Sequence, residues 1–331
     1  CFQYDRKPNS ILNEYCETVN YYKRNTGFKS TLHILPYIVY SRISETLIDN
    51  LLKDDYPIIF EGLHSCYYLN DERLKNRVKI YRESNIEHNY YFNLAKSTNN
   101  IRKKTFYLLE SLKLRLYQKQ IRFADHALVV SQKDCQYLKD KFPNKDIIYL
   151  PSFHGNSKVV SKEGSGNYVL YHGNLSVEEN VVAALYLIDI FKNVDIPFIV
   201  AGLSPDESIY RAAKDISNIK IIDSPNEEDM HQLIENAQIN ILYTAQATGL
   251  KLKLLNVLYQ GRHVLVNSKI VSGTGIGNLC SIADNKQEMI EKLNNLFNKP
   301  FSKEDIFDRE NFLTISYNDK TNAKKLISLL G

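Results

Sequence analysis

Tyr168-Val169-Leu170-Tyr171-His172-Gly173 is a short β-rich apolar run stopped by a glycine, and residues 178–193 behind it carry helical periodicity. A second such run, Phe198-Ile199-Val200-Ala201-Gly202, follows. Then come a helical segment at 207–215, Ile219-Lys220-Ile221-Ile222, and a helical segment at 227–237 with Glu228 and Asp229 in its first turn, where the helix dipole favours acids. Ile239-Asn240-Ile241-Leu242-Tyr243, a helical segment at 250–259 and His263-Val264-Leu265-Val266 complete the series. Short strands alternating with helices of about 10–15 residues predict a parallel sheet with crossover helices. Residues 167–311 are therefore expected to form a Rossmann-like α/β domain.

The first half repeats the alternation with longer helices. Its strand candidates are Pro57-Ile58-Ile59-Phe60, Val78-Lys79-Ile80-Tyr81, Ala127-Leu128-Val129-Val130 and Ile147-Ile148-Tyr149-Leu150. Ser131 reads as the N-cap of the helix that follows, with Asp134 in its first turn. Phe106, Leu109, Leu112 and Leu116 fall on one helical stripe and read as core, while Arg115, Lys119 and Arg122 read as a solvated basic stripe. Residues 1–152 are thus a second Rossmann-like domain. The polar stretch 153–166 reads as a linker, and 312–331 as a C-terminal helix that returns to the first domain. Two such domains are expected to face each other across a cleft at the C-terminal ends of their strands, where α/β sheets bind ligands. The chain opens at what reads as a second strand, so about one βα unit of roughly 30–45 residues is expected to precede Cys1.

A length of 331 residues suits two domains. With 44% hydrophobic and 24% charged residues the chain is neither collagenous nor disordered, and no run approaches the ~20 apolar residues of a membrane span. Five cysteines at 1, 16, 66, 135 and 280 stand singly, which fits reduced thiols in a cytoplasmic protein better than a disulfide framework or a zinc site. Net charge is +4 but uneven: residues 1–165 hold 26 basic and 18 acidic side chains, residues 166–331 hold 16 and 20. Residues 73–122 alone carry 13 basic and 3 acidic ones. An anionic partner of the first half follows, either a membrane surface or a phosphate-bearing acceptor. Nucleic acid is not expected, because no recognition motif or array of stacking aromatics accompanies the charge.

P-loop, HExxH, CxxC, GxSxG and Asp-x-Asp motifs are all missing from the sequence, so neither metal nor cofactor is expected. The informative segment is Ala247-Thr248-Gly249-Leu250-Lys251-Leu252-Lys253-Leu254-Leu255-Asn256. It joins a strand to a helix, so Gly249, Leu250 and Lys251 offer free backbone N–H groups at a positive helix end. Lys251 and Lys253 oppose the helix dipole there, a cost that a bound diphosphate would remove. Gly273-Thr274-Gly275 is a weaker phosphate-loop candidate. In the first half, Glu61 and His64 directly follow a strand and are candidate catalytic residues. Lone His126, His154 and His231 read as structural.

Together these segments resemble the family 4 glycosyltransferases, which have the GT-B fold. Gly173-Asn174-Leu175 with Asn180 is similar to their "G-x-L, then K/P-N" signature, and Thr248 to Val266 to their donor motif "G-T-G-x-K-x-K-x-L-E-A-m-a-x-G-x-P-V-V". Tyr81-Arg82-Glu83-Ser84-Asn85-Ile86-Glu87-His88-Asn89-Tyr90-Tyr91 resembles "R-x-H-N-x-E-x-x-Y-Y", and Ala124 to Asp134 resembles "a-D-x-v-x-x-x-S-x-x-d". The resemblance implies a metal-independent, retaining transferase that moves a sugar from a UDP- or GDP-linked donor to a glycan or lipid-linked acceptor. Bacterial surface polysaccharide synthesis, in the cytoplasm or at the inner membrane face, is the implied setting. It also implies donor binding by Gly173, Asn174, Thr248, Gly249, Leu250, Lys251, Lys253, Asn256, Gly273 and Thr274, and acceptor binding by Arg82, Asn85 and Glu87.

Several positions depart from the family pattern. The ribose-binding glutamate is Asn256, the acidic residue at the motif's other end is Thr248, the first-glycine arginine is Asn174, the usual lysine falls near Glu179 and a histidine is replaced by Ser84. These departures keep two alternatives open, a non-catalytic binding or scaffold protein and a nucleotide-sugar epimerase. With them, Lys251 and Lys253 are left to neutralise a departing diphosphate.

Overall fold

The computed structural model describes residues 1–3, 8, 10–98, 100–245 and 252–330. It divides into two compact units, residues 1–150 with 328–331, and residues 151–327.

In the first unit β1 (Ile58–Glu61), β2 (Lys79–Glu83), β3 (His126–Val129) and β4 (Asp146–Tyr149) form a four-stranded parallel sheet in sequence order. All four expected strands form, each within a residue or two of its predicted bounds. Ser131 caps its helix as the sequence suggests, its hydroxyl accepting from the Asp134 N–H at 3.4 Å. Two helices, Glu87–Ser97 and Ile101–Tyr117, pack against each other between β2 and β3.

The second of these helices corrects the sequence reading. Leu109, Leu112 and Leu116 are exposed, and the inward face carries Glu110, Ser111, Leu114 and Tyr117. Polar anchors set this rotation. The Glu110 carboxylate accepts from the Tyr37 N–H at 2.6 Å, and the Ser111 hydroxyl donates to the His88 carbonyl at 2.8 Å. Buried groups held by such bonds resist being turned to water, because freeing their partners would leave those unsatisfied.

In the second unit β5 (Val169–Asn174), β6 (Phe198–Leu203), β7 (Ile219–Asp223), β8 (Ile239–Leu242), β9 (His263–Val266) and β10 (Ser281–Ile282) form a parallel sheet ordered β10-β9-β8-β5-β6-β7. The chain leaves β5 on one side toward β6 and β7, then returns to its other side with β8, so the order reverses between β5 and β8. Val169 and Tyr171 enter one apolar core and Leu170 the opposite one, the alternation of a strand covered on both faces. Close approach at the β5–β6 ends requires glycine: a Cβ on Gly202 would lie 1.8 Å from the Gly173 carbonyl oxygen.

The stretch 153–166 is more than a linker. The Ser161 hydroxyl donates to the Gly261 carbonyl at 2.7 Å, the Val160 N–H to the Tyr259 carbonyl at 2.7 Å, and Gly164 bridges Phe301. Its anchorage is backbone and polar, so no apolar periodicity marks it. The terminal region also differs from a single helix over 312–331, forming two helices, Lys303–Ser316 and Asp319–Ile327.

Candidate functional site

A cleft of about 570 Å³ opens within the second unit at the C-terminal ends of β5 and β6, beside the point where the strand order reverses. This is where an open parallel sheet binds ligands. Gly173, Asn174 and Asn256 line it, and so do His154, Asn156, His172, His231 and Gln260, none of which the sequence reading placed in a site. His154 and His231, read from the sequence as structural, lie in this lining. Both come to the cleft from afar, one on the anchored 153–166 stretch and the other on the helix Glu227–Asn236.

A chain of amides and imidazoles runs along this wall. The Asn156 amide donates to Asn256 Oδ1 at 3.0 Å, Gln260 donates to Asn156 Oδ1 at 2.9 Å, and His231 Nδ1 donates to Gln260 Oε1 at 2.7 Å. His154 accepts at Nδ1 from the Asn156 N–H (3.1 Å), and its Nε2 lies 2.8 Å from the Tyr317 carbonyl, which places the ring proton on Nε2. His172 is nearly fully buried and its Nε2 has no hydrogen-bond partner among the described residues. Burial, reinforced by the Lys253 cation, pulls its imidazole down to about 3, so the ring is neutral. Desolvation favours the uncharged form, and an unpaired polar nitrogen in such a place is costly unless a ligand supplies the missing bond.

Lys253 lies in the first turn of the helix Leu252–Gln260, its Nζ 3.2 Å from Asn180 Oδ1 and 5.1 Å from the centre of the Tyr171 ring. Thr248, Gly249, Leu250 and Lys251 lie outside the described residues. Asn174 turns its side chain into the local loop, accepting from the Ser176 N–H and hydroxyl at 3.1 and 2.7 Å. Gly273 and Gly275 both adopt positive φ, a conformation that suits glycine. Thr274 between them is buried and donates its hydroxyl to the Val271 carbonyl at 2.7 Å. Neither Gly273 nor Thr274 lines the cleft.

The first unit gathers charge instead. At the end of β1, Glu61 accepts from Arg82 of β2 at 2.8 Å, so these two candidates form one ion pair. Glu87, in the first turn of the helix Glu87–Ser97, has Arg42 as its electrostatic neighbour. Burial pushes the Glu87 carboxyl up to about 7, with the Arg42 charge opposing the rise. His64 is pulled down to about 4 by burial and then by the cations Arg42 and Arg24. Asn85 gives its backbone N–H to the Glu83 carboxyl, which burial holds well above the usual carboxylate range while Tyr81 donates to it at 2.5 Å. Arg24 and Arg42 were not anticipated: Arg24 is bound to the Ser41 hydroxyl at 3.0 Å and Arg42 to the Ile38 carbonyl at 2.6 Å. No motif marks either, because both come from the irregular chain ahead of β1. Among the described residues, no three His, Cys, Asp or Glu side chains are grouped to hold a metal ion.

No family model matches the chain. Among curated proteins it is 27% identical, over 339 residues, to an uncharacterized 44.6 kDa protein in the cps region of Klebsiella pneumoniae, covering 96% of this chain and 85% of that one. Among solved structures it superposes on TarM of S. aureus with a TM-score of 0.64 at 12% identity, over 89% of this chain. It also superposes on sucrose-phosphate synthase from Thermosynechococcus elongatus with a TM-score of 0.65 at 11% identity, over 89% of this chain and 77% of that one. The fold is that of the GT-B glycosyltransferases. The chain spans 58% of the length of TarM, whose structure holds UDP and alpha-GlcNAc-glycerol.

Proposed function

We propose that this GT-B chain is a glycosyltransferase that moves a sugar, with retention and without a metal, from a UDP- or GDP-linked donor to a glycan or lipid-linked acceptor in surface polysaccharide synthesis. The observation that carries this reading is the cleft at the ends of β5 and β6, with Asn256 and the His172 nitrogen, unpartnered among the described residues, in its wall and the Lys253 charge acting on His172. Amides and a neutral imidazole, that of His172, suit the hydroxyls of a ribose. Lysines suit a departing diphosphate, whose growing negative charge fixed cations stabilise. Lys253 takes that part, together with Lys251 and the backbone N–H groups of Gly249 and Leu250.

The acceptor belongs to the first unit in this reading. His64, neutral above about pH 4, accepts a hydrogen bond from the acceptor hydroxyl, while Glu87, protonated in part near neutrality, donates a hydrogen bond to the sugar. Glu61 and Arg82, held as a pair, bind further hydroxyls. We place the reaction in the cytoplasm, where the five free cysteines would stay reduced. The cps-region relative supports the polysaccharide setting.

The test is thermal unfolding against UDP, GDP, ADP, CMP and their sugar conjugates, with EDTA present. A ligand at ~100 times its dissociation constant stabilises by about 2.7 kcal/mol. One nucleotide shifting the transition supports the donor site, and no shift from any of them defeats it. Asn256, already engaged by Asn156, motivates a second reading, a protein that binds nucleotide without transfer. Binding with no sugar released from the donor in the presence of acceptor extracts would favour it.

A further inference from the structure

The helix Ile101–Tyr117 is turned so that its leucine-rich stripe faces water. Leu109, Leu112 and Leu116 are 55%, 60% and 67% exposed, and Leu108 and Ile101 are exposed beside them. Spacings of three and four residues place these side chains on one face. A contiguous apolar face of this kind marks an interaction site, because isolated exposed leucines are common but rows of them are not. The rotation is not loose: Glu110, bound to the Tyr37 N–H and paired with Lys113 at 2.5 Å, and Ser111, bound to the His88 carbonyl, hold the opposite face inward. Lys113 also donates to the His33 carbonyl at 3.0 Å, which brings a turn with exposed Leu32 and Ile34 alongside.

Charge identifies the partner. Residues 101–122 hold seven basic side chains and one acid, and that acid, Glu110, is buried. Arg102, Lys104 and Arg115 border the leucines on the helix, and Lys119 and Arg122 continue the basic rim just past its end, all exposed. An apolar stripe rimmed by lysine and arginine, with no exposed acid, matches the boundary between acyl chains and anionic headgroups. We propose that the outward face of the helix Ile101–Tyr117 is the surface by which this chain lies on an anionic lipid bilayer. No described helix is long and apolar enough to cross one, so the contact is peripheral. The inference goes beyond the donor reading and stands without it.

The experiment is co-sedimentation of the full chain with phosphatidylcholine vesicles, with and without phosphatidylglycerol, at low and raised salt. Two variants are compared with the wild type: Leu109→Ser/Leu112→Ser/Leu116→Ser, and Arg115→Gln/Lys119→Gln/Arg122→Gln. Thermal unfolding confirms that both remain folded. The expected result is binding to the phosphatidylglycerol vesicles alone, weakened at least tenfold by either triple variant and by salt. Wild type that stays in the supernatant overturns the proposal, as does a leucine variant that binds as well as wild type. Light scattering that shows a wild-type dimer made monomeric by the leucine variant also overturns it, because a second copy would then cover the face.

Discussion

The cleft of the second unit and the charged cluster of the first are both built at the C-terminal ends of parallel strands, yet they use opposite chemistry. The cleft wall carries a hydrogen-bonded chain of amides and an imidazole, Asn256, Asn156, Gln260 and His231, with the neutral His172 beside it and with the β5 and β6 backbones meeting closely at Gly173 and Gly202. The cluster of the first unit holds Arg42, His64 and Glu87, whose protonation is bent by burial and by neighbouring charges, with Arg24 among those charges. A site held by close backbone packing and a hydrogen-bonded wall responds to changes of volume. A site made of buried charges responds to pH. The two are therefore separable by experiment.

The largest effect is expected from volume. Gly202→Ala forces a Cβ against the Gly173 carbonyl, so the second unit should lose about 3 kcal/mol or more, read from the urea midpoint. If the midpoint barely moves, the strand ends are not as tightly apposed as the cleft requires.

Protonation comes next. The folded state holds Glu87 at about 7, above the ordinary value of 4.5, so it binds a proton that the unfolded chain has released between those values. Stability from this group is complete below pH 4.5 and is lost as pH rises through 7. Glu87→Gln should therefore stabilise the protein at pH 8, by on the order of 2 kcal/mol, and change little at pH 4. His64 works on the acid side: held at about 4 against an ordinary 6.5, it leaves stability complete above 6.5 and lost as pH falls toward 4. A flat difference between wild type and Glu87→Gln across pH 4–8 would place the charge chemistry elsewhere.

A smaller change separates the two sites by ligand. His172→Phe keeps a ring in the cleft and removes the nitrogen that has no partner among the described residues, and should weaken nucleotide binding about tenfold, or about 1.4 kcal/mol, in calorimetry. Because the ring is already neutral, wild-type affinity should not follow its titration between pH 5 and 8. The smallest expected effect is a control in the first unit. Ser131→Ala removes the helix cap and should cost about 1 kcal/mol without altering nucleotide affinity.

Much of this architecture was legible in the residues. Buried parallel strands need apolar runs, and nine of the ten described strands overlap the runs read from the sequence; the two-residue β10 is too short to leave a pattern. Gly173, Asn174 and Asn256 were legible through the family motifs they resemble, and all three line the cleft. His154, Asn156, His172, His231 and Gln260 were not. Each is a lone polar residue whose role exists only once four separate segments meet, and no spacing along the chain encodes that meeting.

The leucine stripe shows the same division. Its periodicity established that one helix face is apolar, because side chains three and four positions apart share a face whatever surrounds them. Which way that face points was decided by contacts distant in sequence, from Tyr37 and His88 to Glu110 and Ser111, whose buried hydrogen bonds outweigh the leucines' preference for the interior. The sequence by itself determined the alternation of strands and helices and the fold class, since local pattern and burial set those. Only the tertiary structure decided which polar groups share a cleft and which apolar face is left to water, since both depend on bonds between residues that the chain holds far apart.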